Sequence, residues 1–191
     1  EEAFRELLVK DPQDMAATVG LGIALAKQFK LDGAEEMFDR VLLQNPHSAL
    51  AYAGKAEVIL NRLQSSSMTI RKNKESYLKQ AEIYAKQASS LAPASAESHF
   101  ALGRVYQEQG HLDTAANELR TASQLDPNHS YAYSALGKIY LKQNSIAQAA
   151  MSFKRAIELN SGNSGAHFGL GSAYLAQGDV DEAIKELNTS L

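Results

Sequence analysis

The chain of 191 residues has no cysteine and no tryptophan, and only four prolines. Without cysteine there are no disulfides, no thiol nucleophile and no cysteine-based zinc site. That absence suits a soluble protein of the cytoplasm or the periplasm alike, because a solenoid in either compartment is stable without disulfides. No stretch reaches the roughly 18 to 20 uninterrupted apolar residues that cross a bilayer, so membrane insertion is not expected. Glu1-Glu2-Ala3-Phe4 does not read as a signal peptide. Charge of one sign is lacking too. A net charge of −3 gives no basic field to neutralise phosphates, which argues against nucleic acid as a partner.

Aromatic residues make up only 7% of the chain, whereas hydrophobic residues reach 45% and lean on 30 alanines. Alanine is the strongest helix former and lets helices approach closely, so this composition predicts packed helices rather than a thick sheet core.

An internal repeat is plain. Leu102-Gly103-Arg104-Val105-Tyr106, Leu136-Gly137-Lys138-Ile139-Tyr140 and Leu170-Gly171-Ser172-Ala173-Tyr174 share one form at a 34-residue step. A further copy, Leu21-Gly22-Ile23-Ala24-Leu25, lies 81 residues before the first of these, so one unit carries about 13 extra residues. Each unit reads as two amphipathic helices: the pattern predicts that Gly110 closes the first helix of the unit at 96–129 and that Asp126-Pro127 closes its second. A glycine inside a helix costs about 1 kcal/mol relative to alanine, so Gly22, Gly103, Gly137 and Gly171 call for a packing reason. Close approach of the paired helices supplies one. Ala34, Ala115, Ala149 and Ala183 are the small counterparts, and Phe38, Leu119, Phe153 and Leu187 fill the space beside them.

The pattern resembles the tetratricopeptide repeat, W-x-x-L-G-x-x-Y, then A-x-x-x-F, then P, over 34 residues. The resemblance covers essentially the whole chain: 15–48, 49–95 with an insertion at about 64–76, 96–129, 130–163 and 164–191. It departs at the tryptophan place, held by Thr18, Tyr52, His99, Tyr133 and His167. Ser161 replaces the last proline, and Lys55-Ala56 stands where Leu-Gly is expected. The fold it implies is all-α, a right-handed superhelical solenoid of about 11 helices in antiparallel pairs. Residues 1–14 match the second helix of a preceding unit, and no polar capping helix closes either end, as expected of a fragment of a longer chain. Self-association through such uncapped ends is a further expectation.

Function follows from the resemblance as an expectation: a scaffold or adaptor that binds a peptide or helical segment of another protein in a concave groove lined by first helices. The family's groove positions correspond here to Val19, Ile23 and Lys27; Ala53, Glu57 and Asn61; Phe100, Arg104 and Glu108; Tyr131, Lys138 and Lys142; and Phe168 and Ser172. Exposed aromatics and arginine dominate binding hot spots, which singles out Phe100, Arg104, Tyr131 and Phe168. The carboxylate clamp of chaperone-binding members is missing, since its places hold Phe100, Arg104, Ala135, Gly165 and Gly169, or Val19, Ile23, Gly54, Glu97 and Ala101.

No nucleophile elbow, phosphate loop or metalloprotease motif appears, and the five histidines do not cluster, so no enzyme, metal or cofactor is expected. His99 and His167 share one repeat position and read as aromatic packers. The alternatives are a regulatory or substrate-recruiting arm of a larger enzyme, and a self-assembling scaffold. The insertion, Gln64 to Ser76, reads as a solvated loop with lengthened helix ends; its serines beside Arg71, Lys72 and Lys74 would suit a phosphate or an acidic contact. Net charge by unit runs −4, +4, −3, +3 and −3. This alternation favours correct pairing of neighbours.

Overall fold

Five helix starts are set by side chains that accept a hydrogen bond from the backbone N–H three residues on. Asp14 accepts from Ala17, Ser48 from Ala51, Ser95 from Ser98, the His129 ring from Ala132 and Asn163 from Ala166. Each satisfies one of the N–H groups that a helix start leaves orphaned. The computed structural model describes residues 1–64 and 68–190, with the side chains of 68 and 69 left aside. Its described residues form twelve helices and no strand.

The chain divides into two compact units, Glu1–Gln109 and Gly110–Leu191. The first holds α1 (Glu2–Lys10), α2 (Met15–Lys27), α3 (Leu31–Gln44), α4 (Ala49–Arg62), α5 (Met68–Lys72), α6 (Lys74–Leu91) and α7 (Ala96–Gln109). There α2 pairs with α3 and α4 with α6, while α7 lies against both α4 and α6. The second holds α8 (Leu112–Leu125), α9 (Ser130–Lys142), α10 (Ile146–Leu159), α11 (Ser164–Gln177) and α12 (Val180–Thr189). In it α9 pairs with α10 and α11 with α12, and α8 rests on α9.

The helix beyond the expected eleven is α5, which falls in the insertion. That segment is therefore not a plain loop: residues 68–72 close a short helix, and α6 runs 18 residues where α3, α8 and α10 run 14. The serines at 65–67 lie outside the described residues.

Glycines mark where rings enter the core. Phe38 is fully buried between α2 and α4. A Cβ at Gly22 would come within 2.9 Å of its ring, and one at Gly54 within 2.3 Å. Phe153 repeats the arrangement in the second unit, 2.7 Å from a Cβ at Gly137 and 2.3 Å from one at Gly169. Phe4 of α1 covers Gly20, where a Cβ would come within 2.4 Å of its ring. Gly22, Gly54, Gly137 and Gly169 thus make room for rings, whereas a Cβ at Gly171 would meet the Leu187 side chain at 2.7 Å and the Ala183 carbonyl at 3.2 Å. Where Ala85 and Leu119 replace the ring, the sixth place of the following unit holds Ala101 and Ala135, both buried. Ring size in one hairpin is matched by the missing side chain in the next, as close packing demands.

The turns that follow α2, α7, α9 and α11 each pass through one left-handed residue: Phe29 (φ 57°), Gly110 (87°), Asn144 (58°) and Gly178 (89°). Glycine and asparagine suit that conformation; a phenylalanine, here also exposed, is strained by it.

Lys55, the departure at the leucine place, is buried to 8% exposure. Its stem fills the leucine's space while its ammonium pairs with Asp39 and stands 5.0 Å from the centre of the Tyr84 ring. Burial pulls its pKa down, but the hydrogen bond to Asp39 and the charges of Tyr84 and Asp39 more than offset this and raise it above the ordinary lysine value. His167 does more than pack. Its Nδ1 lies 2.6 Å from the Glu186 carboxylate and its Nε2 3.0 Å from the Ser161 carbonyl, tying α12 and the preceding turn to α11. His99 makes the same contact with the Pro93 carbonyl at 2.9 Å. The carbonyl at this place is used whether proline or serine carries it.

Candidate partner-binding face

In the first unit α2, α4 and α7 lie side by side, α4 in the middle. Residues four apart share a helix face, so Val19, Ile23 and Lys27 of α2, Ala53, Glu57 and Asn61 of α4, and Phe100, Arg104 and Glu108 of α7 form three parallel stripes. Val19 and Ala53 are buried and make the floor, Ile23, Glu57, Asn61, Phe100, Arg104 and Glu108 are half-buried, and Lys27 is exposed. The stripes join across the helices: Arg104 Nη1 lies 3.2 Å from Glu57 Oε2, and the Arg104 guanidinium stands 5.8 Å from the Phe100 ring centre. The Glu57 carboxylate and the Phe100 ring thus both flank the planar Arg104 guanidinium.

An open apolar depression of about 400 Å³ lies at the α1 end of this unit, walled by Phe4, Met15, Ala16, Val19, Gly20, Ile23, Val41 and Leu50, with Asn45 and Ser48 as its polar members. It takes in Val19 and Ile23 among the sequence-predicted residues. Phe4 and Met15 were not predicted, although Gly20, at the same place in its unit as Gly54, was the signal for a ring arriving from α1.

The second unit contributes α9 and α11, also side by side. Tyr131, Lys138 and Lys142 fall on one stripe of α9 and are exposed; Phe168, Ser172 and Leu175 share a face of α11, with Phe168 61% and Leu175 51% exposed. The Lys138 ammonium lies 3.7 Å from where a Cβ would stand on Gly165. It therefore crosses from α9 to the start of α11. Phe168, the residue most exposed of the four singled out, does not pack into the core.

Among the described residues no three histidine, aspartate or glutamate side chains gather to hold a metal ion. No described helix is long and apolar enough to cross a membrane.

Comparison with known proteins completes the assignment. A model described as "Tetratricopeptide repeat" matches residues 1–49 and 134–191, just over half of the chain, and one described as "TPR repeat" matches 103–144. No curated protein matches the chain. Among solved structures, TTC0263, a thermophilic TPR protein of Thermus thermophilus, is similar at 25% identity and TM-score 0.75, over 90% of this chain and 87% of that one. PilF of Pseudomonas aeruginosa follows at 21% identity and TM-score 0.68, over 92% and 74%. YrrB, described as a TPR protein with an unusual peptide-binding site, is similar at 19% identity and TM-score 0.55, over 98% and 90%. The repeat signature, the twelve described helices and the two family models agree: the chain belongs to the tetratricopeptide repeat family.

Proposed function

We propose that the chain is an interaction scaffold without catalysis of its own, and that it holds a peptide or helical segment of a partner protein against the faces of its first helices. The observation that carries this reading is the placement of large side chains on those faces. Phe168, Leu175 and Tyr131 stand in solvent although the fold has buried Phe38 and Phe153 completely, and Phe100 with Arg104 is held in place over an aliphatic floor. Aromatic and arginine anchors that are already ordered lose little entropy on binding. Family membership supports the same reading, and YrrB, a structural neighbour, is described as having a peptide-binding site. A groove between helices suits a short segment better than a flat surface does.

The test is affinity capture from lysate of the source cells with the wild-type chain and with a Phe100→Ala/Arg104→Ala/Tyr131→Ala variant of equal helicity, each cross-linked to its captured protein and mapped. The expected result is a protein retained by the wild type, cross-linked to first helices, and lost with the variant. Equal retention by both, or cross-links confined to the second helices, would refute the assignment of the face. A rise of apparent mass with concentration in the absence of any partner would instead make self-association the function.

A further inference from the structure

Acidic side chains in the second unit are strictly segregated. Between residues 110 and 191 every aspartate and glutamate lies on α8 (Asp113, Glu118), on α10 (Glu158), on α12 (Asp181, Glu182, Glu186) or at a helix cap (Asp126, Asp179). None lies on α9 or α11. Those two helices carry Lys138 and Lys142 as their only ionised residues at neutral pH, histidine aside, and both lysines are exposed on the stripe that also holds Tyr131. His167, the histidine of α11, is buried and turned toward Glu186 on α12, away from that stripe.

The unit as a whole is not basic, since its carboxylates outnumber its lysines and arginines. The sign of the face is therefore a matter of placement. A face that carries cations and no carboxylate attracts an acidic segment and repels a basic one, whatever the charge of the rest of the molecule. The apolar members set the second half of the chemistry. Phe168 and Leu175 are seven residues apart on α11, two turns or about 10 Å along its axis, and the lysines run parallel on α9.

Deepening the function proposed above, and resting on it, we infer that the α9/α11 face docks an acidic, amphipathic peptide segment of a partner protein. Its large apolar side chains, about 10 Å apart, lie on Phe168 and Leu175, and its carboxylates line the edge that meets Lys138 and Lys142. Tyr131 closes the end of the lysine stripe and offers a ring to one apolar side chain. Lys138 already leans over Gly165 toward α11, which brings its charge to the border between the apolar and the cationic halves. Residue types match positions: carboxylates are selected by the lysines, and register by the pair of apolar side chains.

Selection of a displayed library of random dodecapeptides against the full chain tests this, followed by fluorescence anisotropy of the most enriched peptide. The expected result is enrichment of sequences with an excess of Asp and Glu and two large apolar residues. Binding of that peptide should weaken about tenfold or more in a Lys138→Glu/Lys142→Glu chain and in a Phe168→Ala/Leu175→Ala chain, and should weaken as salt rises. All four positions are exposed or on the surface stripe, so both variants should keep wild-type helicity, which circular dichroism checks. Enriched peptides that are neutral or basic, or an acidic peptide indifferent to both variants, would overturn the inference. If binding is instead lost only in a Phe100→Ala/Arg104→Ala chain, the function proposed above stands and the present inference falls; if no peptide is enriched, both fall.

Discussion

Gly54→Ala is the most exacting test of how the hairpins are joined. Its new methyl would lie 2.3 to 2.7 Å from three carbons of the Phe38 ring, which is fully buried and already faces Gly22 on its other side. Ordinary carbon contact begins near 3.5 Å, so ring and helix must part by about 1 Å in a close-packed interior. Overpacking of this kind costs about 1–3 kcal/mol, from which about 1 kcal/mol is returned because alanine is the better helix former. The net expectation is a loss of up to about 2 kcal/mol. Phe38→Leu alone should lose about 1–2 kcal/mol through the space it leaves. Combined, the two changes rebuild the kind of pair the chain already has in Leu119 and Ala135, and should recover about 1–3 kcal/mol relative to the sum of the single losses. Urea unfolding of the full chain followed by far-UV circular dichroism measures all three. Gly33→Ala is the control. Its nearest neighbour, a methyl of Leu25, would stand 3.4 Å away, so the helix gain should prevail. Additivity within about 0.5 kcal/mol, or a Gly54→Ala chain more stable than the wild type, would refute the ring-and-glycine account.

Two further expectations follow from residues that break the repeat. Phe29→Gly should raise stability by about 0.5–1 kcal/mol, because relief of the left-handed strain outweighs the added freedom of glycine in the unfolded chain; a lowered thermal midpoint would contradict this. Lys55→Leu should stay within about 1 kcal/mol of the wild type or exceed it, whereas Asp39→Ala should cost about 1–3 kcal/mol by leaving a buried ammonium without its carboxylate, both read from urea midpoints. Since the Lys55 pKa is raised on folding, the stability it contributes is complete at neutral pH and is lost as pH rises through that raised value. The thermal midpoint of the wild type should therefore fall relative to that of Lys55→Leu as pH rises above the ordinary lysine value. A constant difference across that rise would show that the pair contributes nothing to folding.

Much of this architecture is legible in the residues because packing repeats. Gly137 and Gly171 recur at one step since each must clear the second helix of its own hairpin, and that constraint is the same in both. The sixth-place rule escaped notice for a physical reason: it couples one unit to the next. Phe38 dictates Gly54 and Phe153 dictates Gly169, so the small residue lies 16 positions after the large one, in a different repeat. A search confined to one period sees only an irregular alternation of glycine and alanine. Lys55 was hidden for a related reason, because nothing local announces that Asp39 and Tyr84, on two other helices, stand ready to receive a buried ammonium. The short helix α5 likewise has no counterpart in the other units from which to be read.

The residues proposed to bind have no such period. A proposed groove position is defined by what the core does not claim, so its occupant is free to differ from unit to unit: Val19, Ala53, Phe100 and Phe168 hold one place in four hairpins, and they run from buried floor to 61% exposed. Spacing alone could nominate all of them; only burial separates the ring that waits in solvent from the methyl that supports it. Charge placement goes a step further, because it is a property of neighbouring first helices taken together. Net charge by unit gives +3 for 130–163 and −3 for 164–191. Yet the negative charges of the last unit all lie on α12 or at its cap, so α11 can share a cation-only face with α9 although its unit is acidic. Sorting charges by helix rather than by repeat is what reveals that face, and for solenoids built of hairpins it is the division that matches the surface a partner meets.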